Sequence, residues 1–151
     1  MKKLLLTLTA CTGLLTAQAQ GVYQIPNSGF ENWAADKEPG NGWNSFASAG
    51  GSFASFGSSS PAPEKVEGYE SNTAVRLTSK FLIVANANGN LTTGRINMGN
   101  YNPTDAANYN FTDLENATHS LLFAGTPDSV AFFAKFKSGG SENGRGQFIL
   151  H

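Results

Sequence analysis

Glycine, asparagine and serine recur so often along this chain that no window sustains the spacing of an amphipathic helix. The 151 residues include 17 glycines, and apolar residues do not repeat at i, i+3, i+4 and i+7 over successive turns. Short apolar segments separated by turn-forming residues are typical of all-β proteins. The sequence therefore predicts an all-β chain of many short strands.

Two segments have the alternation expected of a half-buried strand. Over 129–137 the apolar residues Val130, Phe132, Ala134 and Phe136 alternate with polar or outward-facing positions, which makes this the clearest strand pattern in the chain. Over 73–79 the same alternation places two apolar side chains on one face. Each segment is predicted to cover a core with one face only.

Further strands are predicted from shorter signals. The apolar run 81–85 resembles a strand covered on both faces, and the residues of 86–90 favour a tight turn into a strand over 91–97. We also expect a strand over 119–124 and the start of another at 146–151. Residues 58–63 are expected to form a Ser/Pro loop.

The first nineteen residues have the pattern of an export signal. Lys2 and Lys3 precede the apolar stretch 4–15, and small residues at 17–19 provide a cleavage site. We expect a signal peptide over 1–19 and one module over 20–151, exported to the periplasm, the cell surface or the medium. A lipoprotein signal ending at Cys11 is the alternative. Because Cys11 is the only cysteine, cleavage after residue 19 would remove any possibility of a disulfide or thiolate site.

Charged residues are few, and acidic residues slightly outnumber basic ones. Only 14% of residues are charged, with 10 basic against 11 acidic side chains, and Lys2 and Lys3 fall within the leader. A nucleic-acid partner would require a basic stripe, which the sequence lacks. Beyond the leader no segment approaches the roughly 20 apolar residues that a membrane span needs, so we expect a chain that does not span the membrane.

Two tryptophan-bearing pieces follow the leader, and their order matches a known family. The first piece has the form Asn-x-Gly-Phe-Glu-x-Trp and the second the form Pro-x-x-x-Trp; the matching residues are Asn27, Gly29, Phe30, Glu31, Trp33, Pro39 and Trp43. They resemble the opening strand and first loop of the PCMD-type carbohydrate-metabolism domain of secreted Bacteroidetes proteins. Segments 72–77, 90–94 and 123–127 are similar to later elements of that family.

The resemblance extends from Ile25 to Lys137 and implies a particular architecture. It implies a jelly-roll or β-sandwich of the galactose-binding-like type, similar to carbohydrate-binding modules. The second half of the family's domain, including its final strand, has no match here. We therefore expect the N-terminal part of a longer module, incomplete at its C-terminus; a small complete sandwich with its last strand at an edge is the alternative.

Glu31 is the candidate metal ligand. Related jelly-roll modules place a structural calcium ligand beside a glycine on the first strand, and Ca²⁺ prefers six to eight oxygen ligands. The resemblance thus implies a structural Ca²⁺ held in part by Glu31. The alternative is a carboxylate that caps a turn or pairs with a lysine on the surface.

Four aromatic residues are candidate carbohydrate-binding residues because flat rings stack on the C–H faces of sugars. They are Trp43, Tyr69, Tyr101 and Tyr109. The three tyrosines lie in segments that we predict to be polar loops, whereas Trp43 lies among glycines and could equally cover the end of the core. For each tyrosine an ordinary surface position is the alternative.

No arrangement of residues in the sequence indicates catalysis. Glycoside hydrolysis needs two carboxylates about 5–10 Å apart; Glu31, Asp36 and Glu38 are close in sequence but form no recognised motif. His119, the one histidine within a predicted strand, is expected to be a surface or satisfied core residue. We expect a non-catalytic carbohydrate-binding or carbohydrate-metabolism-associated module. The alternatives are a structural or protein-interaction domain of a cell-surface assembly and, more distantly, a glycan-active enzyme.

Overall fold

The computed structural model describes residues 24–34, 38–82, 85–123, 125, 127–141 and 143–149. Its secondary structure consists mainly of short strands with almost no helix, so the predicted β-rich character is confirmed. The strands are β1 (Trp33–Ala34), β2 (Glu38–Pro39), β3 (Glu64–Val66), β4 (Ala74–Arg76), β5 (Lys80–Phe81), β6 (Asn86–Ala87), β7 (Arg95–Met98) and β8 (Asn108–Phe111). Two 3-10 helices, Phe46–Ser48 and Ala54–Ser59, lie between β2 and β3.

Consecutive strands pair with each other. In the described part of the chain they form four antiparallel pairs: β1–β2, β3–β4, β5–β6 and β7–β8. The longest is β7–β8, in which Asn97 lies opposite Tyr109. In β3–β4 a cross-strand ion pair joins Glu64 and Arg76.

The core lies around β7. Ile96 and Met98 alternate with half-buried residues and point inward, as expected of a strand with one buried face. On the side of β7 away from β8, Gly50 forms a parallel bridge with Asn97, and its backbone nitrogen donates to the carbonyl of Ile96 at 2.9 Å. The segment that contains the 3-10 helices is thus held against β7.

The opening segment is attached to β3–β4. The Thr73 hydroxyl donates to the carbonyl of Gly29 at 2.8 Å, and the Lys65 ammonium donates to the carbonyl of Glu31 at 3.3 Å. None of the helices in the described residues has the length and hydropathy to cross a bilayer. The signal peptide predicted over 1–19 and Cys11 lie outside the described residues.

Several strand predictions are wrong. Residues 129–137 form no strand and are exposed throughout, although their alternation was the clearest in the sequence. The predicted strand at 119–124 is not formed over its described residues 119–123, and 146–149 is likewise not a strand. An apolar alternation identifies a face to be covered, but a strand forms only when a neighbouring backbone accepts and donates its hydrogen bonds.

The region 80–90 also differs from its prediction. Phe81 is exposed, and the Leu82 nitrogen donates to the carbonyl of Ala85 at 2.8 Å, so the described residues of 81–85 do not form the single buried strand that was predicted. Strand β6 occupies the first two positions of the predicted turn and pairs with β5. The predictions for 73–79 and 91–97 are confirmed in part, because these segments contain β4 and most of β7.

Candidate functional site

Each of the four predicted carbohydrate-binding residues lies against a second aromatic ring. The pairs and their centroid distances are Trp43–Phe30 at 5.1 Å, Tyr69–Phe133 at 5.2 Å, Tyr109–Phe111 at 5.8 Å and Tyr101–Phe53 at 6.2 Å. All four pairs are tilted, a favourable arrangement for aromatic rings. One member of each pair was predicted from the sequence to bind carbohydrate, and the ring beside it was not.

Trp43 is part of the packing between the two motif pieces. Its side chain is half-buried, and its indole nitrogen donates to the carbonyl of Pro26 at 3.0 Å. Asn27 also joins the two pieces, because its amide nitrogen donates to the carbonyls of Asn32 and Gly40 at 2.8 and 2.9 Å. These contacts give Trp43 a structural role in joining the two pieces.

Among the ring contacts of the described residues, Tyr101 belongs to a group of three aromatic side chains. Phe53 lies between Tyr101 and Phe56, with its centroid 6.2 Å from the first and 6.0 Å from the second. Tyr101 is 67% exposed and Phe56 54% exposed, whereas Phe53 is half-buried between them. We call these three residues the aromatic surface. Grouped exposed rings of this kind often mark binding sites.

The backbone fixes the position of Phe53. The Phe53 nitrogen donates to the carbonyl of Met98 at 2.9 Å, and the Phe56 nitrogen donates to the carbonyl of Phe53 at 3.0 Å at the start of the second 3-10 helix. Gly51 has a φ of 97°, and a Cβ there would lie 2.6 Å from the Met98 oxygen. The close approach of this segment to β7 therefore depends on glycine.

Tyr101 is held by a loop that hydrogen-bonds to itself. The backbone nitrogens on either side of it, at Asn100 and Asn102, donate to the side-chain oxygens of Asn108 and Asn100 at 3.1 and 3.0 Å. The Asn108 amide in turn donates to the carbonyl of Asn102 at 2.7 Å. Asparagine side chains that bond to nearby backbone groups stabilise loops of this kind, so Tyr101 is presented on an ordered loop.

The other two tyrosines differ from each other. Tyr109 lies on strand β8 two residues before Phe111, so its predicted loop position is wrong; the asparagines around it conceal the strand. Tyr69 is in a loop as predicted, and its partner Phe133 belongs to the exposed segment 129–137. The Tyr109 and Tyr69 contacts each join two rings, whereas the aromatic surface joins three.

Glu31 is exposed, and its described surroundings provide few ligands for a metal. The described residues contain no group of three or more His, Cys, Asp or Glu side chains that could hold a metal ion, and the Lys65 ammonium lies at the Glu31 carbonyl. A Ca²⁺ ion at Glu31 would therefore take its other oxygens from amide, carbonyl or water groups, or from residues beyond the described part of the chain.

Glu38 has a structural environment. Its Oε1 accepts from the backbone nitrogen and the hydroxyl of Ser45, both at 2.6 Å, and from the same two groups of Ser48 at 3.2 and 2.8 Å. These bonds stabilise the first 3-10 helix. The neighbouring acid Asp36 lies outside the described residues.

His119 is buried, with 8% of its surface exposed, and within the described part of the chain its Nδ1 has no hydrogen-bond partner. The expectation of a surface or satisfied core histidine is therefore wrong at this nitrogen. The backbone nitrogen and carbonyl of His119 both bind within the loop 113–119. Nothing in these contacts places a nucleophile beside the imidazole.

An open groove of about 380 Å³ lies between β5–β6 and the turn at 139–141. It is lined by Ser79, Asn86, Gly139, Gly140 and Ser141, none of which offers a ring for stacking.

Comparison of the chain with protein-family models, with curated proteins and with solved structures finds no match. The aromatic surface is thus the best-formed candidate site on geometric grounds.

Proposed function

We propose that this protein is an exported, non-catalytic carbohydrate-binding module of the PCMD-like, jelly-roll type. The observation that supports carbohydrate binding is the aromatic surface, in which Phe56 and Tyr101 are exposed on either side of Phe53. The exposed rings present apolar faces that can stack on the C–H faces of pyranose sugars, and an open surface matches a polysaccharide chain better than a deep pocket does.

Hydrogen bonds would supply the orientation that stacking lacks. The aromatic surface adjoins Asn100 and Asn102 on one side and the serines of the second 3-10 helix on the other, and amide and hydroxyl groups complement sugar hydroxyls. A shallow site of this kind buries little of its ligand, so we expect modest affinity. The leader-like sequence at 1–19 supports a location in the periplasm or at the cell surface.

The test is a broad glycan array probed with the purified protein and with three tyrosine variants. Tyr101→Ala should reduce binding by roughly three- to tenfold, because losing one aromatic contact costs about 0.5–1.5 kcal/mol. Tyr69→Ala removes an equally exposed ring elsewhere and should leave binding unchanged. Loss of binding in Tyr109→Ala alone would move the site to β8, and absence of any bound glycan would contradict the proposal.

A structural or interaction domain of a cell-surface assembly is the second candidate. The observation that favours it is the exposure of large apolar side chains in 129–141 and 143–149, among them Phe132, Phe133, Phe136, Phe148 and Ile149. Exposed apolar side chains in such number are often covered by another protein. Recovery of one cell-surface protein by cross-linking, together with an empty glycan array, would favour this function.

A further inference from the structure

The aromatic surface lies in a part of the chain without charged side chains. Phe53 and Phe56 belong to the stretch 44–63, and Tyr101 belongs to the stretch 96–104; neither stretch contains Asp, Glu, Lys or Arg. Each 3-10 helix lies wholly within the first stretch. The three rings are therefore surrounded in sequence by Gly, Ser, Ala, Asn and Pro.

The charged groups that border these stretches are engaged. The Glu38 carboxylate accepts from Ser45 and Ser48, and Glu64 pairs with Arg76. Arg95, whose guanidinium approaches Gly50, lies 3.6 Å from the carboxylate of Asp113.

The Lys80 ammonium donates to the carbonyl of Ser59 at 3.3 Å. The carboxylate of Asp105 accepts from the Asn100 amide and from the Ala107 nitrogen, both at 2.8 Å. One lysine and one ion-paired arginine at the border are too few to attract a polyanion, which binds through several cationic contacts.

The spacing of the rings indicates how many sugar units they can contact. The ring centroid of Phe53 is 6.0 Å from that of Phe56 and 6.2 Å from that of Tyr101, with interplanar angles of 35° and 56°, so Phe56 and Tyr101 present separate faces. The two outer rings are the exposed ones, and the central ring is half-buried. A polysaccharide that lies across the aromatic surface would thus place two or three of its consecutive sugar units against these rings.

We propose that the aromatic surface binds two to three consecutive units of an uncharged polysaccharide and discriminates against uronate-bearing chains. This proposal rests on the proposed function and adds the ligand's charge and length. A carboxylate on the sugar would lose hydration on approaching an apolar surface whose described neighbouring cations, Lys80 and Arg95, are already bonded to other groups. A monosaccharide would contact only one of the two exposed rings.

The test uses defined oligosaccharides and isothermal titration calorimetry. The neutral probes are cellotriose, xylotriose and mannotriose, and the charged probe is trigalacturonate. The effect of length is measured with glucose, cellobiose, cellotriose and cellohexaose, and with the corresponding xylose and mannose series. We expect at least one neutral trisaccharide to bind at least tenfold more tightly than its monosaccharide and than trigalacturonate, with little gain at the hexasaccharide. Its affinity should change less than twofold between 50 and 500 mM NaCl.

Two substitutions link the result to the rings. Phe56→Ala should weaken binding of the neutral trisaccharide by roughly three- to tenfold, and Phe56→Leu, which keeps an apolar side chain for folding, should weaken it comparably. Phe81→Ala is the matched control, since Phe81 is also exposed but lies on β5. Near-UV circular dichroism and a thermal melt establish that each variant is folded.

The outcomes separate this proposal from the proposed function. Equal or tighter binding of trigalacturonate, equal binding of the monosaccharide, or unchanged affinity in both folded Phe56 variants would overturn the inference and leave carbohydrate binding intact. The same holds if the glycan array reveals a ligand but none of the three neutral trisaccharides binds. An empty array would overturn both.

Discussion

The carboxylate oxygen Oε1 of Glu38 lies 2.6 Å from the backbone nitrogen of Ser45 and 2.6 Å from its hydroxyl. Ser45 is fully buried, and its hydroxyl also accepts from the Ala47 nitrogen at 3.1 Å as the N-cap of the first 3-10 helix. Strand β2 is thereby joined to the segment that leads to the aromatic surface. Hydrogen bonds to a carboxylate are stronger than those between neutral groups.

Replacing Glu38 by glutamine should destabilise the protein by about 1.5–3 kcal/mol, the usual range for hydrogen bonds to a charged group. The amide keeps one acceptor oxygen but loses the charge that strengthens four contacts. Urea denaturation followed by tryptophan fluorescence measures the change. Glu70→Gln is the control, because Glu70 is exposed and should change stability by less than about 0.5 kcal/mol. Equal midpoints for Glu38→Gln and wild type would show that the network contributes nothing.

Gly51→Ala should weaken both stability and glycan binding. The new Cβ would lie 2.6 Å from the Met98 oxygen at a φ of 97°, so the backbone must move, at a cost of about 1–3 kcal/mol. Because Phe53 is bonded to the same carbonyl, the ring between Phe56 and Tyr101 would move too. Gly139→Ala, where a Cβ meets nothing within 4 Å, is the control. Unaltered affinity in a destabilised Gly51→Ala protein would mean that Phe53 does not position the surface.

Local pattern was sufficient to predict the β-rich character of the chain. It predicted strands in part where the apolar residues face a core, as at Ile96 on β7, although the observed strand extends to Met98, one residue beyond the predicted segment. It was wrong for 129–137, because alternation specifies an apolar face and says nothing about the strand that must pair beside it. Phe132 and Phe136 remain exposed there.

The candidate site was predicted less completely than the fold. Tyr101 was predicted as a sugar-stacking residue because it lies in a segment that reads as a polar loop, whereas Phe53 and Phe56 follow a run of Gly and Ser that gives no strand or helix signal. Phe53 and Tyr101 come together through the bridge of Gly50 to Asn97 and the bond from the Phe53 nitrogen to the Met98 carbonyl, long-range contacts that single-sequence periodicity does not encode. A search of the sequence for Phe and Tyr residues without charged residues close by would have included Phe53, Phe56 and Tyr101.

Trp43→Phe tests whether this residue packs or binds sugar. The substitution retains a ring against Phe30 but removes the indole N–H that donates to Pro26, so we expect a loss of about 0.5–1.5 kcal/mol in unfolding free energy. Affinity for the glycan should stay within twofold of wild type. The control is Tyr69→Phe, an exposed position at which neither quantity should change. A loss of affinity with stability preserved would make Trp43 a sugar contact.

Calcium binding at Glu31 is tested by a thermal melt with and without millimolar Ca²⁺. An ion bound only by the native state raises the melting temperature by mass action, and Glu31→Gln should remove that rise if the carboxylate is a ligand. The Lys65 ammonium at the Glu31 carbonyl repels a second cation, so Lys65→Met should enlarge the calcium-dependent rise. Mg²⁺ at the same concentration is the control, because it requires a tighter octahedral shell. A melting temperature unchanged by Ca²⁺ in both wild type and Lys65→Met would rule out the site, and the role of Glu31 would then be confined to the surface contacts of the opening segment.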